Sequence, residues 1–181
     1  DSHRILDHGS VYAVHALSIA SDRGLPVPED ILRKGTDFIQ NLSTTPTSSY
    51  GTSEGSWLAT RAYALYVLAK LGKPDLSTIT SIFEARAKMG LIGNSYLLLA
   101  LVASSGDHTQ VETLKQEITN AAAIDTHGVY FGDPRNTDLG VIWSSDVRST
   151  SLVLMALSAS DPKHPLLPKI VSWLQSKREH G

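Results

Sequence analysis

Four stretches of the chain begin on a large apolar or aromatic residue and run on through Ala and Leu at matching offsets. They are Tyr12-Ala-Val-His-Ala-Leu17, Tyr63-Ala-Leu-Tyr-Val-Leu68, Tyr96-Leu-Leu-Leu-Ala-Leu101 and Leu152-Val-Leu-Met-Ala-Leu157. Each is apolar on nearly every side, and a helix of that composition is buried all round. The intervals between them are unequal, unlike those of a strict tetratricopeptide or ankyrin array. A second kind of segment alternates with the first. Ile31, Leu32, Phe38, Ile39 and Leu42 fall on one stripe, with Arg33, Lys34, Asp37 and Gln40 opposite. Leu76, Ile79, Ile82 and Phe83 make another; Val111, Leu114 and Ile118 a third; Leu167, Ile170, Val171 and Leu174 a fourth. These are amphipathic helices with one wet flank.

The punctuation supports the same division. Gly24, Gly72 and Gly106 stand where the buried helices should stop, suited to a left-handed cap. Pro28 and Pro165 stand where the next helices start, at a position that needs no N–H. Asp75 and Asp107 are N-cap residues for the equivalent turns. Two longer connections break the rhythm. In residues 124–143 the β-formers Val129-Tyr-Phe131 and Val141-Ile-Trp143 flank a polar turn and predict a small hairpin. Residues 44–53 form a polar loop. The pattern therefore predicts an all-α protein: about four helical hairpins, inner helices shielded by outer ones, as in a ring or solenoid. Such an array usually carries polar capping helices at its ends. This one opens on a buried-type helix and stops after an outer one, which predicts a single partial domain over residues 1–181, incomplete at both ends.

Composition narrows the function. The 181 residues hold 16 Lys and Arg against 18 Asp and Glu, a net charge of −2, with no basic block; nucleic-acid binding is not indicated. There is no cysteine, so disulfides, thiolate metal sites and a cysteine nucleophile are excluded within these residues. The longest apolar run, Tyr96 to Ala103, is far short of the roughly 20 residues of a membrane span. Asp1-Ser-His-Arg-Ile-Leu6 is too polar for a signal peptide, and the lack of an initiator Met fits a processed or trimmed chain.

Each candidate for chemistry has a plainer structural account. Gly51-Thr-Ser53-Glu-Gly55 matches the nucleophile-elbow pattern, but that serine needs a strand-to-helix turn above a parallel sheet. Here Thr52 or Ser53 reads as the N-cap of the helix holding Trp57 and Leu58. The histidines His3, His8, His15, His108, His127, His164 and His180 form no i, i+4 metal pair. His8 is placed before the first helix, and His15 inside it as a hydrogen-bonded core or inter-helix histidine. Glu29, Asp30, Asp133, Asp138 and Asp146 are the acids available for glycosidase-like catalysis. Helix starts account for Glu29 and Asp30, a turn for Asp133 and Asp138, and an N-cap near Val147 for Asp146. No aspartate-rich cyclase cluster occurs. Trp57, Trp143, Trp173, Tyr50, Tyr130 and Phe131 read as packing before recognition. Asn41-Leu-Ser43 is a glycosylation sequon, meaningful only in a secreted eukaryotic protein. No catalytic residue, cofactor or metal is expected.

Several runs carry a family resemblance. Val11-Tyr-Ala-Val-His-Ala-Leu17, Asp22-Arg-Gly-Leu-Pro-Val-Pro-Glu-Asp-Ile-Leu32, Thr60-Arg-Ala-Tyr-Ala-Leu-Tyr-Val-Leu-Ala-Lys-Leu-Gly72, Ser145-Asp-Val-Arg-Ser-Thr-Ser-Leu-Val-Leu-Met-Ala-Leu157 and Pro165-Leu-Leu-Pro-Lys-Ile-Val-Ser-Trp-Leu174 resemble bacterial alpha-2-macroglobulins. Together they span most of the chain, although each is largely helix-turn-helix vocabulary. The resemblance implies the thioester-containing α/α toroid of that family, part of a protease-trapping inhibitor found in the periplasm or outside the cell. Its partners would be sibling domains and target proteases, and it would not insert into a membrane. The family's Cys-x-Glu-Gln thioester lies upstream of the matched region, and no counterpart is present here. The alternatives are a toroid-type enzyme, glycosidase or terpene-cyclase-like, and a solenoid interaction scaffold.

Overall fold

The computed structural model describes residues 7–46, 53–132 and 145–178. Among these residues lie eight α-helices: α1 (Asp7–Asp22), α2 (Glu29–Thr44), α3 (Glu54–Lys70), α4 (Leu76–Glu84), α5 (Leu91–Ala103), α6 (His108–Asn120), α7 (Asp146–Ser160) and α8 (Leu167–Ser176). A single 3-10 turn, Arg86–Lys88, joins α4 to α5. The two strands are β1 (Ala123–Asp125) and β2 (Gly128–Tyr130).

The odd-numbered helices form the inner layer, packed in chain order α1, α3, α5, α7. Each even-numbered helix up to α6 rests against the inner helices before and after it, and α8 covers α7 and β2. This is the expected alternation of inner and outer helices, an α/α toroid arrangement. The central inner helices match the expected all-round burial. Leu65, Val67, Leu97, Leu98 and Ala100 have no exposed surface, because α3 and α5 each have inner neighbours on both sides. The flanking inner helices do not match it. On α1, Tyr12 is 66% exposed and only Val11, Val14 and Ser18 are buried. On α7, Met155 is exposed while Leu152, Val153, Ala156 and Leu157 are buried. A uniformly apolar helix is dry only where something lies against each face, and α1 and α7 each have an inner neighbour on one side among the described residues.

Caps explain where the helices stop. Gly72 adopts φ +73°, and the bonds from Lys73 N to Leu68 O (2.9 Å) and Gly72 N to Ala69 O (3.1 Å) close α3. Gly24 does the same for α1 at φ +74°. At the end of α5 the left-handed residue is Ser105 (φ +50°), one position before the expected Gly106. Gly106 is instead pressed against Leu101, whose side chain lies 2.8 Å from where a Cβ would be. Ser53, Asp75 and Asp107 accept the N-cap bonds of α3, α4 and α6. The cap of α7 is Ser145, accepting from Arg148 N, and Asp146 is the first helical residue rather than the cap.

The expected hairpin near 128–143 exists with a different partner. Val129 and Tyr130 do form a strand, but it pairs antiparallel with the preceding segment, Ala123 opposite Tyr130 and Asp125 opposite Gly128. Asp125 Oδ1 accepts from the amides of His127 (2.8 Å) and Gly128 (3.2 Å), so the tight turn falls upstream of the one read from the sequence. Val141–Trp143 lies outside the described residues. The hairpin is fastened to α8: Trp173 Nε1 donates to Asp125 Oδ2 at 2.8 Å, and the indole stacks on Tyr130 with centroids 5.1 Å apart.

Candidate functional site

The inner helices bring aromatic and basic side chains together on the axis of the layer. Tyr63 of α3 is buried and stacks on Tyr96 of α5, with centroids 4.1 Å apart and planes 19° from parallel. Its hydroxyl shares a 2.9 Å hydrogen bond with Nδ1 of His15 on α1. The His15 ring meets Tyr63 and Tyr66 edge-on, at 5.6 and 5.5 Å. His8, the second residue of α1, lies 5.4 Å from the Tyr63 ring. From α7, Arg148 donates through Nη2 to Nε2 of His8 at 3.4 Å and also hydrogen-bonds Tyr96. All four inner helices thus contribute to one cluster.

Its electrostatics follow from burial. His8 is pushed down to about 4, first by desolvation and then by the Arg148 cation. His15 is lowered by burial and by Lys70. Tyr63 and Tyr96 are raised, chiefly by desolvation. At neutral pH the cluster holds neutral imidazoles and phenols around one guanidinium. Because Nε2 of His8 accepts from Arg148, the neutral ring carries its proton on Nδ1, a buried atom with no partner among the described residues. Phenols held above their ordinary range do not form the phenolate a tyrosine nucleophile needs.

Sequence reasoning left His15 as a core or inter-helix histidine, of which the structure shows the second, and set His8 before the helix that in fact includes it. It took Tyr63 and Tyr96 as core and did not single out Arg148. A signal was present: Tyr12, Tyr63 and Tyr96 open three of the four repeated stretches, so an aromatic recurs at one register. The fourth departs, with Leu152 at that register and Arg148 one turn earlier.

The remaining candidates are dispersed. Ser53 is an N-cap whose Oγ lies 2.8 Å from Ser56 Oγ. Glu29 and Asp30 sit in the first turn of α2, Asp30 paired with Lys34 at 3.2 Å, and Asp146 opens α7. His108 is exposed beside Glu112, and His127 occupies the hairpin turn. His164 is buried with Nε2 3.3 Å from Thr119 Oγ1. Among the described residues no three His, Cys, Asp or Glu side chains are grouped as for a metal ion, and no helix is long and apolar enough to cross a membrane. Trp57 is buried and donates to Thr45 O at 3.2 Å, and Phe131 is fully buried. Asn41 is exposed, but the sequon's Ser43 is buried with its hydroxyl on Gln40 O. His3, His180, Asp133, Asp138, Tyr50 and Trp143 lie outside the described residues.

An inner layer of parallel-ordered helices, shielded by an outer one and meeting at an aromatic axis, is the architecture of an α/α toroid. Solved structures similar to it include bacterial alpha-2-macroglobulins. Salmonella alpha-2-macroglobulin reacted with methylamine matches 94% of this chain at 23% identity with a TM-score of 0.76. The native Escherichia coli protein, from domain MG7 to the C-terminus, matches 93% at 22% identity with a TM-score of 0.72. The trypsin-activated Escherichia coli form matches 92% at 22% identity with a TM-score of 0.71. The chain spans 11%, 26% and 11% of those three chains, a small part of each. No family model matches it, and no curated protein matches it by sequence.

Proposed function

We propose that this chain is a thioester-domain-type toroid of an alpha-2-macroglobulin-like endopeptidase inhibitor, and that within these residues it acts as a non-catalytic scaffold. The observation that carries the reading is the match of the layered helices, over nearly the whole chain, to bacterial macroglobulins at TM-scores of 0.68 to 0.76. Solved neighbours include forms activated by trypsin and by porcine elastase, which makes serine endopeptidases the first targets to try. Two features of the site agree. The axis cluster holds neutral imidazoles and phenols around the Arg148 guanidinium, suited to fixing helix positions, and these residues contain no cysteine from which a thioester could form. On this reading residues 1–181 belong to one toroid domain, its neighbours are sibling domains of a longer parent, and the parent works in the periplasm or outside the cell.

The full parent protein, incubated with trypsin or elastase, tests the reading. A trap shields large substrates from the captured protease while leaving small ones accessible. Hydrolysis of a protein substrate should therefore fall sharply while hydrolysis of a chromogenic peptide persists. Unchanged hydrolysis of the protein substrate defeats the proposal. Mass spectrometry for a covalent protease adduct, with and without methylamine pretreatment, asks separately whether the parent uses a thioester.

A further inference from the structure

We propose that the His8–Arg148 contact across the toroid axis is an acid-sensitive latch, whose protonation releases the start of α1 from the inner layer. The geometry is specific. The contact joins α1 to α7 across 140 positions of sequence, whereas the other extensive packing of α1 is to its chain neighbours α2 and α3. An imidazole accepts the guanidinium N–H only while Nε2 keeps its lone pair. Protonation turns that acceptor into a donor and sets two cations 3.4 Å apart. The ring's other nitrogen, Nδ1, is buried without a described partner, so the charged form gains no compensating bond there.

The groups facing His8 confirm that nothing described absorbs the new charge. Tyr63 of α3 and Arg148 of α7 lie against the ring, Tyr96 of α5 stacks on Tyr63, and Tyr66 of α3 meets His15. On α3 Lys70 adds positive charge near His15. On α1 itself stand Tyr12 and Asp7, and the Asp7 carboxyl is raised by burial, so it too loses charge on acidification. On α2 four of the five charges pair with each other, Asp30 with Lys34 and Asp37 with Arg33, Glu29 opens the helix, and its contact with α1 includes the apolar seat of Val14 on Gly35. His8 itself resists protonation down to about 4 while α1 is docked. Once α1 is released it regains an ordinary histidine affinity, near 6.5. Linkage between those values makes release roughly 50-fold more favourable at pH 4.5 than at pH 7.

Hydrogen exchange on the intact chain reads this directly. After correction for intrinsic rates, the protection factors of the Val11–Ser18 amides should drop by roughly 50-fold between pH 7 and 4.5, while those of α5 change little. His8→Gln, neutral at both values, should lose most of that drop, keeping only the part that the lowered His15 contributes. His15→Gln, which keeps the latch, should retain it. If His8→Gln does not fold, Arg148→Gln supplies the second arm: the His8 ring resonance should then titrate at a clearly higher pH than in the parent chain. Equal protection at both values, a drop of undiminished size in His8→Gln, or an unmoved His8 titration in Arg148→Gln would each overturn the proposal.

Discussion

Two residues show how a single atom is decided by its neighbours. Gly128 adopts φ +145°, and a Cβ there would stand 2.3 Å from the backbone carbonyl of Lys169, which is not the movable end of a side chain. Gly128→Ala must displace the hairpin from α8, and a loss of about 2–4 kcal/mol in chemical denaturation is the expected outcome. Tyr63 is the other case. Its hydroxyl is buried and bonded to His15, so Tyr63→Phe keeps the stack on Tyr96 while stranding the His15 nitrogen, and should cost about 1 kcal/mol. A variant as stable as the parent would show that His15 finds another partner. Neither effect was legible in the sequence. Gly128 was not singled out and Tyr63 read as one more core residue, because both depend on segments 41 to 48 positions away meeting in space.

At the scale of elements, the sequence disclosed most where local pattern and tertiary environment coincide. The stripes of α2, α4, α6 and α8 did so at their centres, since one apolar face needs only one neighbour: Ile39, Ile79, Ile82, Leu114, Ile118 and Ile170 are buried, while Ile31, Leu76 and Val171, assigned to the same stripes, are exposed. The all-round apolar stretches were ambiguous in a way periodicity cannot resolve. Leu97 and Tyr12 occupy similar patterns, yet one is fully buried and the other two-thirds exposed, because burial depends on the neighbour and not on the helix. Leu97→Ala should consequently cost about 2–5 kcal/mol by leaving a cavity in α5, while Met155→Ala, on the open flank of α7, should cost less than about 1 kcal/mol. Thermal melts of the two variants side by side check the contrast; equal costs would mean that α7 is covered as fully as α5. The hairpin was misregistered for a related reason. Val129-Tyr130 is a strong strand signal, but Ala123-Ile124-Asp125 is a weak one, recruited by the Asp125 side chain closing the turn and by Trp173 donating to the same carboxylate.

For the molecule as a whole, inner helices stacked in chain order make most contacts local, the arrangement expected to fold quickly and to lose structure from its flanks. The pH dependence of global stability follows from the cluster. His8 has a folded pKa of about 4 against an ordinary 6.5, so the unfolded chain binds more protons between those values, and stability falls as pH drops through that window. The loss approaches about 3 kcal/mol when the window is fully crossed. His15, also lowered, adds in the same direction. Asp7, raised by burial, acts the opposite way and relieves part of the loss as it protonates. Denaturation midpoints at pH 7 and 4.5 should differ accordingly, and the difference should shrink in His8→Gln. Finally, the indole of Trp173 stacks on Tyr130 and has the Lys177 ammonium 4.9 Å from its centroid, while Trp57 sits far away in sequence against Thr45. Those two chromophores emit from different milieus. With Trp143→Phe as background, the loss of one colour before the other would time the lifting of the β-ribbon against the parting of α2 from α3.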